Sequence, residues 1–163
     1  MFCQENDLLI NVAYFWAGSL SVSLFLVREV VMCLRRQYGV EHVYGIPEGY
    51  RGFLDPSIWR PQDEATVANY HNMGGSVLGS SRGGHDTKAI VDSLVSQNIN
   101  LLFVVGGDGT LRGAAKISDE AQRRGLKISV ASIPKTIDND IPLSTSSLVA
   151  VLMFAMFLNG LVL

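Results

Sequence analysis

The feature that most constrains this chain is an apolar run, Leu101 to Val105, that ends abruptly in Gly106–Gly107–Asp108–Gly109–Thr110. An apolar run that short, stopped by glycines, predicts a buried strand breaking into a tight turn. Three glycines in five positions let the backbone approach a phosphate closely, because no Cβ stands in the way. Asp108 lies at the tip, where a carboxylate can hold Mg2+ against phosphate oxygens. Thr110 is expected to open a helix through Leu111, Ala114, Ala115 and Ile117, with its first N–H groups facing the same anion. The functional reading is a cradle for nucleotide phosphates. A plain strand–helix turn would carry the same five residues, and the pentapeptide alone does not name an acceptor.

The 163 residues give room for one domain with a real core. A formal net charge of -2, with no basic stripe carrying interleaved aromatics, gives no electrostatic reason to expect nucleic acid. Cys3 and Cys33 are far apart and form no CxxC pair, which fits a reducing compartment and argues against zinc or a disulfide framework. His42, His71 and His85 share no ligand spacing and read as surface histidines. Mean hydropathy is positive, and the two ends of the chain supply the excess. Leu8 to Val27 carries no charge, nor does Ile141 to Leu163, and each is long enough to cross a bilayer.

Taken in order, Ile10–Val12–Tyr14 reads as a strand, followed by a loop near Gly18 and a helix through Leu24, Val27, Val31 and Leu34. Arg35–Arg36–Gln37–Tyr38 with Gly39 is the cationic, glycine-closed end expected of such a helix. The alternative is a membrane span over Leu8–Val27, with Arg28, Arg35 and Arg36 on the cytosolic side. Val40 to Ile46 is the next strand, stopped by Pro47. Glu48–Gly49–Tyr50–Arg51–Gly52–Phe53 is expected as a loop, either packing an aromatic or serving the substrate side, and loop continues from Pro56 to Pro61. Asp63, Glu64 and Thr66 form the acidic first turn of a short helix ending near Met73.

Gly74 to Gly84 reads as a brief strand between glycine pairs, ending in Ser80–Ser81–Arg82. Small residues there expose backbone N–H groups, and one guanidinium can fork onto a phosphate. Asp86–Thr87 caps a helix with Ala89, Ile90, Val91, Leu94 and Val95 on its apolar side, completing a βαβ unit with the strand at Leu101. Beyond the cradle, Ser118 to Arg124 completes an exposed helix closed by Gly125, and Lys127 to Ile133 is a mostly buried parallel strand. Pro134–Lys135–Thr136–Ile137–Asp138–Asn139–Asp140 follows at its C-terminal end, the edge at which open α/β sheets bind ligands.

Three motifs in this order and spacing, Gly79–Ser80–Ser81–Arg82, Gly106 to Thr110 and Pro134 to Asp140, resemble those of 6-phosphofructokinase. Gly45–Ile46–Pro47 with Gly49–Tyr50–Arg51–Gly52, and Arg82–Gly83–Gly84–His85–Asp86–Thr87, look like its plant-type, pyrophosphate-like branch. The resemblance covers about Arg28 to Leu143. Lipid kinases and kinases acting on NAD carry a similar cradle but lack the Thr–Ile–Asp–Asn–Asp run. The resemblance implies an α/β fold, a three-layer, mostly parallel sheet, as the N-terminal part of a phosphofructokinase domain. It implies ATP-dependent phosphorylation of fructose 6-phosphate to fructose 1,6-bisphosphate in glycolysis, in the cytoplasm, by a homo-oligomer. By the same resemblance Arg82 and Gly83 contact the donor phosphates, and Gly107, Asp108, Gly109 and Thr110 cradle ATP. Asp108 and Asp140 are the Mg2+ carboxylates, Asp138 takes the proton from the sugar 1-hydroxyl, and Thr136 and Ile137 line the sugar side. Lys135 joins Asp138 as a catalytic residue. Such a reaction needs mostly positioning and charge neutralisation, with one base. Glycine at 109 leaves room for the α-phosphate of ATP where pyrophosphate users carry an aspartate, while Lys135 is shared with them.

The chain also departs from the pattern. Only Gly18 survives from the glycine-rich loop expected near residues 18–26, so residues 1–27 form a divergent apolar segment ahead of the domain at 28–143. Residues 144–163 are an apolar tail, read as an altered terminus, a membrane anchor, or a helix packed with Leu148, Leu152, Ala155 and Leu158. The expectation for such a chain is negligible turnover, the competing reading being a non-catalytic fragment that binds Mg-ATP or a full-length relative. Membrane association through the apolar ends stays open.

Overall fold

The structure is a computed structural model that describes residues 11–16, 22–73, 77–79 and 83–134. Its strands are β1 (Asn11–Trp16), β2 (His42–Ile46), β3 (Arg60–Pro61), β4 (Leu101–Gly106) and β5 (Ser129–Pro134). They form one sheet in the order β3-β2-β1-β4-β5. All pairings are parallel except β2 with the two-residue β3. The register sets Val12 beside Val43 on one side and Leu101 on the other, and Gly106 beside Pro134.

Four helices connect the strands: α1 (Val22–Arg36), α2 (Glu64–Val67), α3 (Thr87–Ser96) and α4 (Asp108–Arg123). The chain leaves β1 through α1 toward β2, then returns past β1 through α3 to reach β4 on its far side. Right-handed crossovers therefore put α1 on one face and α3 and α4 on the other. The core follows this division. Leu26, Val27, Val30 and Val31 of α1 pack with Val43, Val105 and Ile133, whereas Ile90, Val91, Leu94, Ala114 and Ile117 pack with Ile46, Leu102 and Val104. Alternate residues of β4 feed opposite layers, as period-two geometry requires. Leu102, Ile90, Leu94 and Ile117 are fully buried, each stabilising the fold by about 1.5–3 kcal/mol.

Local chemistry explains the helix ends. α1 stops at Arg35–Arg36, and Gly39 adopts φ 63, the left-handed close expected of a helix C-terminus. Arg35 there donates to the carbonyls of Val40, at 3.3 Å, and Glu41. Asp63 caps α2 by accepting from the Thr66 N–H, and Asp86 caps α3 by accepting from Lys88 and Ala89. α4 ends at Gly125, φ 67, and its Arg124 bridges Glu120 to Asp92 of α3, tying the two helices of that layer together.

Several expectations need correction. Leu8–Val27 is not one apolar helix, because residues 11–16 form a central strand; among the described residues no helix is long and apolar enough to cross a membrane. Residues 49–54 and 56–58 are 3₁₀ turns rather than loop, and Arg60–Pro61 pairs with Tyr44–Gly45. Val77 and Leu78 form no strand, although their carbonyls accept from Arg60 Nη1 and the Glu48 N–H, each at 2.9 Å. Val95 is exposed, since the sheet has room for only one side of α3. β5 buries little besides Ile133, because it is the outermost of the described strands and gains cover from one neighbour only. The loop near Gly18, Cys3 and the tail at 144–163 lie outside the described residues.

Candidate active site

The connections step from β1 to β2 in one direction across the sheet and to β4 on the other side of β1. In an open α/β sheet such a switch point places the ligand crevice outside the C-terminal ends of the strands, here β1 and β4. The Gly106–Thr110 turn stands at that rim. Gly106 is the last residue of β4, and α4 begins at Asp108 rather than at Thr110, two residues earlier than expected. The reason lies in Thr110, which folds back over the strand end. A Cβ on Gly106 would stand 2.8 Å from the Thr110 Cβ, Cγ2 and Oγ1, so only glycine lets the helix start so close to the strand.

Gly107 occupies the N-cap position in extended conformation, and no side chain caps α4. This contrasts with α2 and α3, whose aspartates satisfy the first-turn N–H groups. The Gly107 carbonyl accepts from Thr110 and Leu111, each at 3.0 Å. The helix N-terminus therefore presents its partial positive charge to the crevice. Gly109 faces open space: a Cβ built there meets nothing within 4 Å.

Asp108 is exposed in the first turn of α4 and is held by Arg112 one turn later, with Nη2–Oδ2 at 2.7 Å and Nε–Oδ1 at 3.2 Å. A carboxylate and a guanidinium thus stand together at the rim. Among the described residues no cluster of three or more His, Cys, Asp or Glu is placed to hold a metal ion. That donor set suits Mg2+, which commonly takes one or two carboxylates and completes its shell with water and substrate phosphate oxygens. Uncapped helix, open Gly109 and one aspartate are together compatible with a Mg–polyphosphate.

The second glycine segment comes to the same neighbourhood through Tyr50. Gly83 and Gly84 adopt φ 79 and 77, and Gly84 lies so close to the turn at Gly49–Leu54 that a Cβ would stand 3.1 Å from the Arg51 Cα. His85 follows, its ring edge-on to Tyr50 with centroids 4.5 Å apart. It is therefore not the surface histidine expected. It is half-buried, Nε2 lies 3.0 Å from Thr87 Oγ1, and Nδ1 is buried without a hydrogen-bond partner among the described residues. Burial, then Lys116, pushes its pKa down, with Asp86 opposing. Tyr50 in turn donates its hydroxyl to the Thr110 carbonyl at 2.6 Å.

Of the residues singled out in the sequence, Gly107, Asp108, Gly109 and Thr110 stand together, and Gly83 adjoins them by way of Gly84, His85 and Tyr50. Arg82, Lys135, Thr136, Ile137, Asp138 and Asp140 lie outside the described residues. The last described residue before that acidic run, Pro134, pairs with Gly106 at the same rim. Sequence reasoning missed Arg112, Gly113 and the clamp at Tyr50. Only the i,i+4 spacing of Asp108 and Arg112 carried a local signal.

A doubly wound α/β domain with a glycine turn and an uncapped helix N-terminus at its switch point is the class that fold and site define. The Phosphofructokinase family model matches residues 21–148. The chain belongs to the phosphofructokinase family. It is 49% identical over 122 residues to ATP-dependent 6-phosphofructokinase 7 of Arabidopsis thaliana, covering 75% of this chain and 25% of that protein. It is 49% identical over 144 residues to ATP-dependent 6-phosphofructokinase 1 of the same plant, covering 88% and 30%. It is 44% identical over 119 residues to ATP-dependent 6-phosphofructokinase of Borreliella burgdorferi, covering 71% and 26%. The chain thus spans 25% to 30% of the length of these curated relatives. Its fold is shared with Pichia pastoris phosphofructokinase in the T-state, with a TM-score of 0.73 at 22% identity over 89% of this chain and 18% of that one. The pyrophosphate-dependent phosphofructokinase of Marinobacter aquaeolei gives 0.71 at 24% identity, over 83% and 36%.

Proposed function

We propose that residues 28–143 carry the nucleotide side of an ATP-dependent 6-phosphofructokinase site, the reaction being phosphoryl transfer from ATP to the 1-hydroxyl of fructose 6-phosphate. The observation that carries this reading is the uncapped N-terminus of α4 at the switch point, with Asp108 in its first turn and Gly109 open. The family match runs over residues 21–148 and so contains this range, while the strand at 11–16 lies ahead of the match.

In this reading the Gly107–Thr110 backbone and the dipole of α4 hold the donor's phosphates, joined by Arg82 and Gly83. Asp108, with Asp140, would hold Mg2+, which supplies charge neutralisation on the phosphate oxygens when bound. Lys135 serves as a catalytic residue with Asp138, and Thr136 and Ile137 line the sugar side. Asp138 accepts the proton of the attacking hydroxyl, a task usually worth about 10²–10⁴-fold in rate. Assembly into a homo-oligomer and a cytoplasmic site of action complete the proposal.

A second reading, a unit that binds Mg-ATP without turning over, is carried by the same α4 N-terminus, which supplies contacts to phosphates alone. Incubating the chain with fructose 6-phosphate and Mg-ATP separates the two. Product formation that disappears in Asp138→Asn supports the enzyme, and saturable Mg-ATP binding without product supports the binding unit. A chain that shows neither binding nor product overturns the nucleotide reading.

Donor choice gives a sharper prediction. Gly109→Asp fits the chain itself, because nothing lies within 4 Å of the new Cβ. The added carboxylate then faces the α-phosphate, the one that pyrophosphate lacks, so ATP affinity is expected to fall by about 10-fold or more while pyrophosphate affinity changes less. Competition titrations with the two donors read this out directly.

A further inference from the structure

We propose that Tyr50 is a positioning residue, a clamp that fixes the segment following Arg82 relative to the first turn of α4. The proposal rests on the reading of that turn as a nucleotide cradle. The tyrosine comes from neither segment. It stands on the 3₁₀ turn Gly49–Leu54, and its hydroxyl reaches across 60 residues of sequence to the Thr110 carbonyl at 2.6 Å. Thr110 is the third residue of α4, so the bond is made inside the turn whose N–H groups face the crevice.

The helix is shaped to receive this ring. At Gly113, one turn after Gly109, a Cβ would stand 2.3 Å from the Tyr50 hydroxyl oxygen and 2.7 Å from Cζ. A side chain of any size at 113 would drive the phenol away, so glycine there has a local physical reason. The ring also meets that of His85, centroids 4.5 Å apart and planes nearly perpendicular, and the neighbouring Arg51 backbone lies against Gly84. One turn of chain thereby touches both glycine segments.

The turn is itself anchored. Phe53 is fully buried, its ring stacked at 6.3 Å from Tyr50 and edge-on at 6.0 Å to Trp59. Trp59 Nε1 donates to the Gly52 carbonyl at 2.8 Å. Burial holds the Tyr50 phenol above its ordinary pKa, which keeps it a hydrogen-bond donor across the working pH range. A fixed platform, a directional bond to one segment and ring contact with the other are what set the spacing of two anion-binding backbones.

Tyr50→Phe keeps the ring and removes the bond, whereas Tyr50→Leu removes both. Amide hydrogen exchange without ligand, thermal midpoint, and Mg-ATP affinity by calorimetry would be measured on the whole chain. For Tyr50→Phe the expected result is faster exchange at residues 107–112, unchanged exchange across α1, and a nearly unchanged midpoint. Mg-ATP affinity falls by about 3- to 10-fold, the effect of one lost hydrogen bond. Tyr50→Leu extends the faster exchange to residues 83–87. Unchanged exchange at 107–112 in Tyr50→Phe, or a uniform rise over all helices with a matching fall in midpoint, overturns the proposal in favour of simple packing. Absence of Mg-ATP binding by the unsubstituted chain overturns the nucleotide reading instead, and the exchange arm still decides whether Tyr50 sets the two segments.

Discussion

Gly52→Ala is expected to destabilise the chain by about 3 kcal/mol or more, a large effect for a single added methyl. A Cβ at this position would stand 1.9 Å from the Pro47 carbonyl oxygen and 3.0 Å from Ile46 Cγ2. The first of these is backbone at the exit of β2, so no side-chain rotation relieves the contact. Either the Gly49–Leu54 turn lifts from the sheet or β2 shifts against β1. The first route also pulls out Phe53, which is fully buried, and breaks the bond from Trp59 to the Gly52 carbonyl. Urea unfolding of the variant should show a midpoint far below that of the parent. Gly109→Ala is the matched control. Its Cβ meets nothing within 4 Å and it lies inside α4, where alanine is favoured over glycine by roughly 1 kcal/mol. A stability loss shared by both variants would contradict the packing described at Pro47.

The second large effect concerns Asp108. Asp108→Asn keeps the size of the side chain and removes its charge, so α4 should still begin at the same residue. If this carboxylate holds Mg2+ beside the donor, Mg-ATP affinity falls by about 10- to 100-fold, the range for losing a charged polar contact. The sign for metal-free ATP is the opposite. Removing the carboxylate releases Arg112, now bound to Asp108 at 2.7 Å, and leaves a guanidinium unpaired beside the helix N-terminus. Metal-free ATP should therefore bind as well as before or better. Calorimetric titrations with and without Mg2+ give both numbers, and equal losses in the two would rule out a metal role for Asp108.

What was legible in the sequence is the part governed by local chemistry. The apolar run at Leu101–Val105 and the cap residues Asp86, Gly39 and Gly125 announced their strands and helices, because periodicity and capping act within one or two turns. The uncharged stretch from Leu8 to Val27 was ambiguous, since apolar composition alone fits either a bilayer or a sheet interior. Pairing of residues 11–16 with both β2 and β4 accounts for that part of it as a central strand flanked on two sides.

Other features depended on distance through space. Glycine at 113 looked like an ordinary small residue in a helix, and its reason is a ring 63 positions earlier in the chain. His85 read as a surface residue because nothing near it in sequence covers it; the Tyr50 ring, distant in sequence, does so. Residues 127–133 read as a mostly buried strand, and only the strand order explains why β5 buries little besides Ile133.

The central claim is that the Gly107–Thr110 turn receives a nucleotide's phosphates at the β1/β4 crevice. Amide resonances of the isotopically labelled chain, followed during a Mg-ATP titration, test it most directly. The account predicts saturable shifts concentrated at Gly83, Gly107, Asp108, Gly109 and Thr110, with pyrophosphate moving the same set and adenosine alone leaving it in place. Saturable shifts centred elsewhere on the sheet, with those five amides unmoved, would contradict it.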